Sequence, residues 1–272
     1  MSTQTTIQKE ISLSGVGIHS GKQAHVTLSP AKPDTGILFI RSDQNIQIPA
    51  TISHVTHTTR ATTLTHDGVA IQTPEHLLAA AYGMGIDNLI VTIDTEEVPI
   101  LDGSAQPFVE AILNAGIQTL NTPRTPITIS SPQSIIDKDQ TISIIPSDHL
   151  QITYILDLSH VFVGIQTVSV IITPDSFQTE IAPARTWGFE SEVQALLEQN
   201  LAKGGHLENA LIIGKESYLN TPRMTHELAL HKCLDILGDL ALLGLKRPIT
   251  GHVIGFRSGH FLNTQLANLL LN

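Results

Sequence analysis

The sequence is short of aromatic residues, cationic side chains, cysteine and long apolar runs, and each shortage removes a class of function. One Trp, three Tyr and seven Phe in 272 residues leave little material for platforms on which nucleic-acid bases stack. Fifteen Lys and Arg against 25 Asp and Glu give a formal charge of −10, which argues against nucleic acid or an anionic membrane as a general partner. An anionic small molecule stays open, because a few local cations hold one phosphate whatever the total charge. The single cysteine, Cys233, cannot close an internal disulfide and no CxxC pair occurs, so a reducing cytosol is the expected compartment. No stretch approaches the ~20 apolar residues of a membrane span. The opening MSTQTTIQKEISLSG has neither the charged head nor the apolar run of a signal peptide. A soluble protein is expected, with one large domain or two of about 100–150 residues each.

What is plentiful is histidine, 13 residues. The chain around them opens with short alternating segments, Ile7–Leu13 and His25–Leu28, separated by the Gly-rich turn at 14–21 and continued at Ile37–Ile40 and Ile46–Ile48. Pro74–Tyr82 reads as a helix with Pro near its start, stopped by Gly83 and Gly85. Asn88–Ile93 is then a buried strand, and Phe108–Asn114 a second helix closed by Gly116. Residues 119–126 (TLNTPRTP) carry two prolines and no periodicity, and 121–126 is taken as a linker between domains at 1–120 and 127–272. Strands return at Ile127–Ser130, Thr141–Ile145, Gln151–Leu156 and Gln166–Ile172. Ser191–Asn200 reads as an amphipathic helix, Ala210–Ile213 as an apolar segment after it, Thr225–Leu243 as a longer helix and Gly251–Phe256 as a strand. Each half thus holds a helix with an early His, a Gly break and an apolar strand. Two α+β domains of related layout, with these helices facing one another, explain the echo; so does coincidence between two helix–strand units.

Three constellations carry chemistry. In HKCLDILGD, His231 and Asp235 stand four residues apart, so imidazole and carboxylate share one helix face and can bind one zinc ion; an ordinary His–Asp pair has the same spacing. Asp239, a further turn along, can orient a His from behind. In TPEHLLAA, adjacent side chains point about 100° apart, so a division of labour fits: His76 coordinates and Glu75 acts as general base. The structural alternative makes Glu75 a first-turn acid favoured by the helix dipole. In GHVIGFRSGHFLN, His260 follows Gly259 in an accessible turn and suits a cationic partner for a leaving amine or an oxyanion. His252 suits a structural role, and Arg257 has the planar fork for phosphate or carboxylate. Two His and one Asp leave a fourth position for water, as in catalytic rather than structural zinc sites.

The segments GVGIHSG, TPEHLLAA, ILDGSAQPFV, ARTWGF, HKCLDILGDL and SGHFLN resemble, in order and from about residue 7 to 265, the motif series of the UDP-3-O-acyl-N-acetylglucosamine deacetylases. The resemblance implies hydrolysis of the N-acetyl group of a UDP-linked acylated glucosamine, giving UDP-3-O-acyl-glucosamine and acetate, the committed step of lipid A synthesis. It implies zinc, with ferrous iron as the alternative metal, held by His76, His231 and Asp235. Glu75 would be the base, His260 the acid or electrostatic partner with Asp239 behind it, and Thr186 a donor to the oxyanion. Lys232 would meet the nucleotide-sugar side and Arg257 the diphosphate. The implied fold is α+β: two similar domains, each a β-sheet packed against helices with a small insert, and the active site between them. The second insert, about 186–213, would form the acyl-chain passage, lined by Val193, Ala202, Leu207 and Ile212; on their own these residues read as insert core rather than ligand contacts. Trp187 replaces the family's usual Phe and should reshape the entrance beside Thr186, and His206 follows Gly-Gly where a small residue is commoner. His19 and His57 lie in matching segments, which makes them candidates to approach the substrate. His25, His54, His66, His149, His160 and His226 are expected to be solvated, and Cys233 to be packing. A cytoplasmic monomer is expected, without an integral membrane segment, possible contact with the inner membrane being peripheral.

Overall fold

The computed structural model describes residues 3–244 and 248–271. Its first sheet has five strands in the spatial order Ile11–Val16, Gln23–Pro30, Leu89–Ile93, Ile37–Arg41, Ile46–Pro49. The second repeats this plan with Gln133–Asp137, Gln140–Ile145, Ile249–Phe256, Leu150–Asp157, Ile165–Ile171, and Ile127–Thr128 also pairs with the central strand. In both, the strand latest in sequence takes the centre, antiparallel to one neighbour and parallel to the other. Burial alternates strictly along Leu150–Asp157 and Ile249–Phe256, the mark of a sheet with one face covered.

Six helices accompany these sheets among the described residues. They are α1 (Glu75–Gly83), α2 (Gln106–Ala115), a single turn α3 (Pro174–Ser176) that runs on into a π-helical turn at Phe177–Ile181, α4 (Glu190–Glu198), α5 (Glu227–Leu240) and α6 (His260–Leu269). In each half a helix precedes the central strand and another follows it, α1 and α2 in the first, α5 and α6 in the second. The halves are therefore similar α+β units by strand order as well as by helix placement. Between the fourth strand and the first of these helices each carries an insert. The first holds a three-stranded sheet over Val55–His57, Thr63–His66 and Val69–Gln72, the second α4 between the parallel strands Trp187–Phe189 and Leu211–Ile213.

The aperiodic stretch at 119–126 is not wholly a connector. Ile117–Pro123 forms a strand antiparallel to Thr3–Ile7, and Arg124 donates to both carboxylate oxygens of the buried Asp87 and, at 2.6 Å, to the Gly85 carbonyl. A pairing between segments more than 100 residues apart leaves no local pattern to read.

α1 and α5 face each other and are buried along nearly their whole length. Their close approach requires Gly238: a Cβ there would strike the backbone carbonyl of Glu75. The glycine of the GDL segment is thus what lets the two histidine-bearing helices come together.

Candidate metal centre and active site

His76 stands in the first turn of α1, and His231 and Asp235 lie one turn apart on α5. The helix pairing brings one ligand atom of each to within 4.8 Å of the other two. The two imidazoles meet edge to face at 5.0 Å between centroids, and His231 Nε2 is 3.4 Å from Asp235 Oδ1. His231 turns its other nitrogen to the Ala184 carbonyl at 3.1 Å. That bond makes Nδ1 the protonated nitrogen and leaves the Nε2 lone pair directed at the cluster. Lys232 Nζ donates to Asp235 Oδ2 at 2.8 Å, leaving Oδ1 free toward His231.

The protonation states suit a cation. Burial pushes His76 down to about 3, helped by the neighbouring His231, and burial likewise lowers His231 against the pull of Asp235. Burial alone would raise Asp235, but Lys232 and His231 outweigh it and hold the carboxyl well below its usual range. Two neutral imidazoles and one carboxylate, all buried, with His76 Nδ1 lacking a hydrogen-bond partner among the described residues, form a donor set that fits a divalent metal.

Beside this set lies a second layer. Glu75, buried next to His76, accepts from the Thr62 backbone N–H at 3.3 Å. In the metal-free protein its carboxyl is pushed up to about 8 by burial, with His260 pulling down and Asp239 and Asp235 pushing up. His260 opens α6, with Nε2 3.8 Å from Glu75 Oε1 and Nδ1 2.8 Å from Asp239 Oδ2. Burial alone would lower this imidazole, but Asp239 and Asp235 raise it to about 10. Asp239 accepts also from Asn263 Nδ2 at 2.9 Å and the Thr62 hydroxyl at 2.6 Å. Thr62 was not foreseen, since a lone threonine in a loop carries no motif; Asn263 closes the SGHFLN segment, but nothing in its spacing shows that it reaches Asp239.

Glu75, His76, His231, Asp235, His260 and Thr186 all border one cavity of about 630 Å³, continued by Trp187, Val193, Ala202, Leu207 and Ile212 of the second insert and by His19. Trp187 and Lys232 also border an adjoining cavity of about 380 Å³, with Arg257, Tyr154 and Asp157; Lys232 Nζ sits 5.5 Å over the indole ring. Arg257 does not enter this space as a free cation. It is ion-paired with Asp139, and its Nη2 donates to Asp157 at 2.9 Å and to Ser159 Oγ at 2.7 Å. His57 is exposed on the first insert, away from the cavity lining. His160 departs from simple solvation, its ring 5.6 Å from that of Phe189, and His54 is half-buried against His66. His252 hydrogen-bonds Thr153 Oγ1 at 2.7 Å, and Cys233 is buried in the core.

The family model for UDP-3-O-acyl N-acetylglycosamine deacetylase matches residues 4–272. The chain belongs to this family. Curated UDP-3-O-acyl-N-acetylglucosamine deacetylases similar to it include that of Leptospira biflexa, 42% identical over 272 residues, covering 98% of this chain and 89% of the relative. That of Myxococcus xanthus is 41% identical, with 99% and 86% covered. That of Thermosynechococcus vestitus is 42% identical, with 98% and 94% covered.

Proposed function

We propose that this deacetylase-family member hydrolyses the N-acetyl group of UDP-3-O-acyl-N-acetylglucosamine in lipid A synthesis, releasing acetate, with zinc held by His76, His231 and Asp235 between the two halves. The observation that carries the reading is the convergence of that set with Glu75 and His260 at one cavity. When bound, zinc lowers the pKa of a coordinated water toward ~7 and polarises a carbonyl.

The chain's own groups do the rest. Glu75 takes a proton from the attacking water as its oxygen bonds to the acetyl carbon. The Thr186 hydroxyl donates to the carbonyl oxygen as that oxygen gains charge. The C–N bond then breaks and the sugar nitrogen receives a proton from His260, which Asp239 keeps cationic, or from Glu75. Lys232 holds Asp235 ionised and faces the nucleotide-sugar side; Arg257 meets the diphosphate only by exchanging carboxylate partners for phosphate. The acyl chain takes the apolar part of the cavity along Trp187, Val193, Ala202, Leu207 and Ile212. We place the enzyme as a cytoplasmic monomer, peripheral at most to the inner membrane; among the described residues no helix is long and apolar enough to cross one.

The test is deacetylation of this substrate by metal-free protein reconstituted with Zn²⁺ or with Fe²⁺, alongside analogues lacking the acyl chain or the UDP. Turnover that survives thorough chelation removes the metal assignment. Equal turnover of the truncated analogues removes the substrate assignment.

A further inference from the structure

The ILDGSAQPFV segment lies outside the metal cluster, yet its turn touches an irregular segment on which two candidate-site groups, His231 and Thr186, depend. Residues 182–186 run past the site as a strap. Ala184 offers its carbonyl to His231, and the Thr186 backbone N–H donates to the Gly103 carbonyl at 2.7 Å. The Ala105 N–H donates to the Ala182 carbonyl at 2.9 Å. Gly103 has φ +86, and a Cβ there would collide with the Asn209 backbone carbonyl, so this turn is pressed directly into the second half.

Within the second half the strap is held by Glu227, whose buried carboxylate accepts from the Arg185 backbone N–H at 3.0 Å and the Arg223 backbone N–H at 2.6 Å. Nothing in that bond fixes the strap against the first half, which carries Glu75 and His76. The Arg223 side chain does, adding to the two backbone bonds from Thr186 and Ala105. Its Nη1 donates to Asp102 Oδ2 at 2.8 Å and to the Pro183 carbonyl at 3.2 Å, and its Nη2 to the Asp102 carbonyl at 3.4 Å. One guanidinium therefore joins the Asp102–Gly103 turn to the strap, and the far side of Asp102 is fixed by Ser104, Oδ1 accepting its N–H and hydroxyl at 3.0 and 2.8 Å.

We infer that Arg223 is a positioning residue for Thr186: it locks the Asp102–Gly103 turn to the 182–186 strap, so that the threonine from one half is aligned with the base and ligand from the other. The inference rests on the oxyanion role proposed for Thr186. Both side chains of the Arg223–Asp102 pair are about one-third exposed, 32% and 33%, and such pairs add little to global stability. A misplacement on the order of 1 Å at a reacting group, by contrast, can cost roughly 100-fold in rate.

The experiment is a double-mutant cycle on kcat, with KM and Tm recorded for each variant. Arg223→Met is expected to lower kcat about 10-fold, in the range typical of supporting contacts around a metal site, with KM and Tm little changed. Asp102→Asn is expected to act in the same direction. In a Thr186→Val background Arg223→Met is expected to cost almost nothing more. An equal loss in both backgrounds, or a fall in Tm with kcat intact, overturns the inference and leaves the role of Thr186 standing. Normal turnover in Thr186→Val removes the oxyanion reading itself, and the inference with it.

Discussion

Glu75 and His260 come from different halves of the chain and meet with Oε1 and Nε2 3.8 Å apart. Each alters the other's protonation: His260 pulls the Glu75 carboxyl down against burial, and Glu75 helps to keep His260 protonated. In the proposed mechanism a base that must be ionised and an acid that must be protonated are thus held side by side, each favouring the other's working form.

A bell-shaped pH dependence is the expected outcome. In the proposed mechanism Glu75 works deprotonated, so turnover should fall as pH drops through its pKa, and burial places that limb above the ordinary carboxylate value of 4.5. His260 works protonated, so turnover falls again as pH rises through its own raised pKa. Glu75→Ala is expected to lose roughly 100-fold or more in kcat, with His260→Ala losing a similar factor. Near-normal turnover in Glu75→Ala would withdraw the base assignment.

Asp239 is expected to act through His260. Its negative charge raises the imidazole's pKa, so Asp239→Asn lowers it and the alkaline limb of the kcat profile moves to lower pH. The amide keeps one acceptor oxygen, which serves either Thr62 or His260 and Asn263, so Tm is recorded beside the profile to separate a loss of fold from the loss of charge. An alkaline limb that stays in place while kcat falls would show that Asp239 is not acting by charge.

Removal of metal should be felt in stability as well as rate. Ligands that bind only the folded state raise its stability by RT ln(1 + [L]/Kd), about 2.7 kcal/mol at one hundred times Kd. Zinc is therefore expected to raise the Tm of chelated wild-type protein. His231→Ala and Asp235→Ala should abolish that increase and leave far less than one metal per chain by elemental analysis. A full zinc response in either variant would place the ion elsewhere.

Gly238→Ala tests the helix contact. The added methyl meets the Glu75 backbone, so α1 and α5 must separate, and overpacking of this kind typically costs about 1–3 kcal/mol. Thermal unfolding should register that loss, and turnover should fall further than stability because the displaced residue is the base. Unchanged Tm and kcat would mean the helices shift there without cost.

Much of the site was readable from spacing. His231 and Asp235 share a face because a helix repeats every 3.6 residues, and the Glu75–His76 neighbours were assigned different tasks for the same reason. Val193, Ala202, Leu207 and Ile212 of the second insert, which only the family resemblance singles out, border the cavity. α6 left no comparable mark beyond its SGHFLN start, and the short strands of the first insert were passed over because three or four residues hold too little pattern. The ion pairs of Arg257 leave no local mark, because its partners, Asp139 and Asp157, lie about 100 or more positions away.

The order of residues by itself determined what each helix and strand offers: an imidazole and carboxylate on one face of α5, an adjacent acid and imidazole at the start of α1, apolar residues on alternate strand positions. Those follow from the periodicity of the backbone and are local. Which offers meet was decided only by the tertiary structure. Gly238 lets α1 touch α5, α6 carries His260 to Glu75, and the Asp102–Gly103 turn reaches Thr186. Such contacts are set by how two packed sheets and their helices fill space together, and no window along the chain contains them.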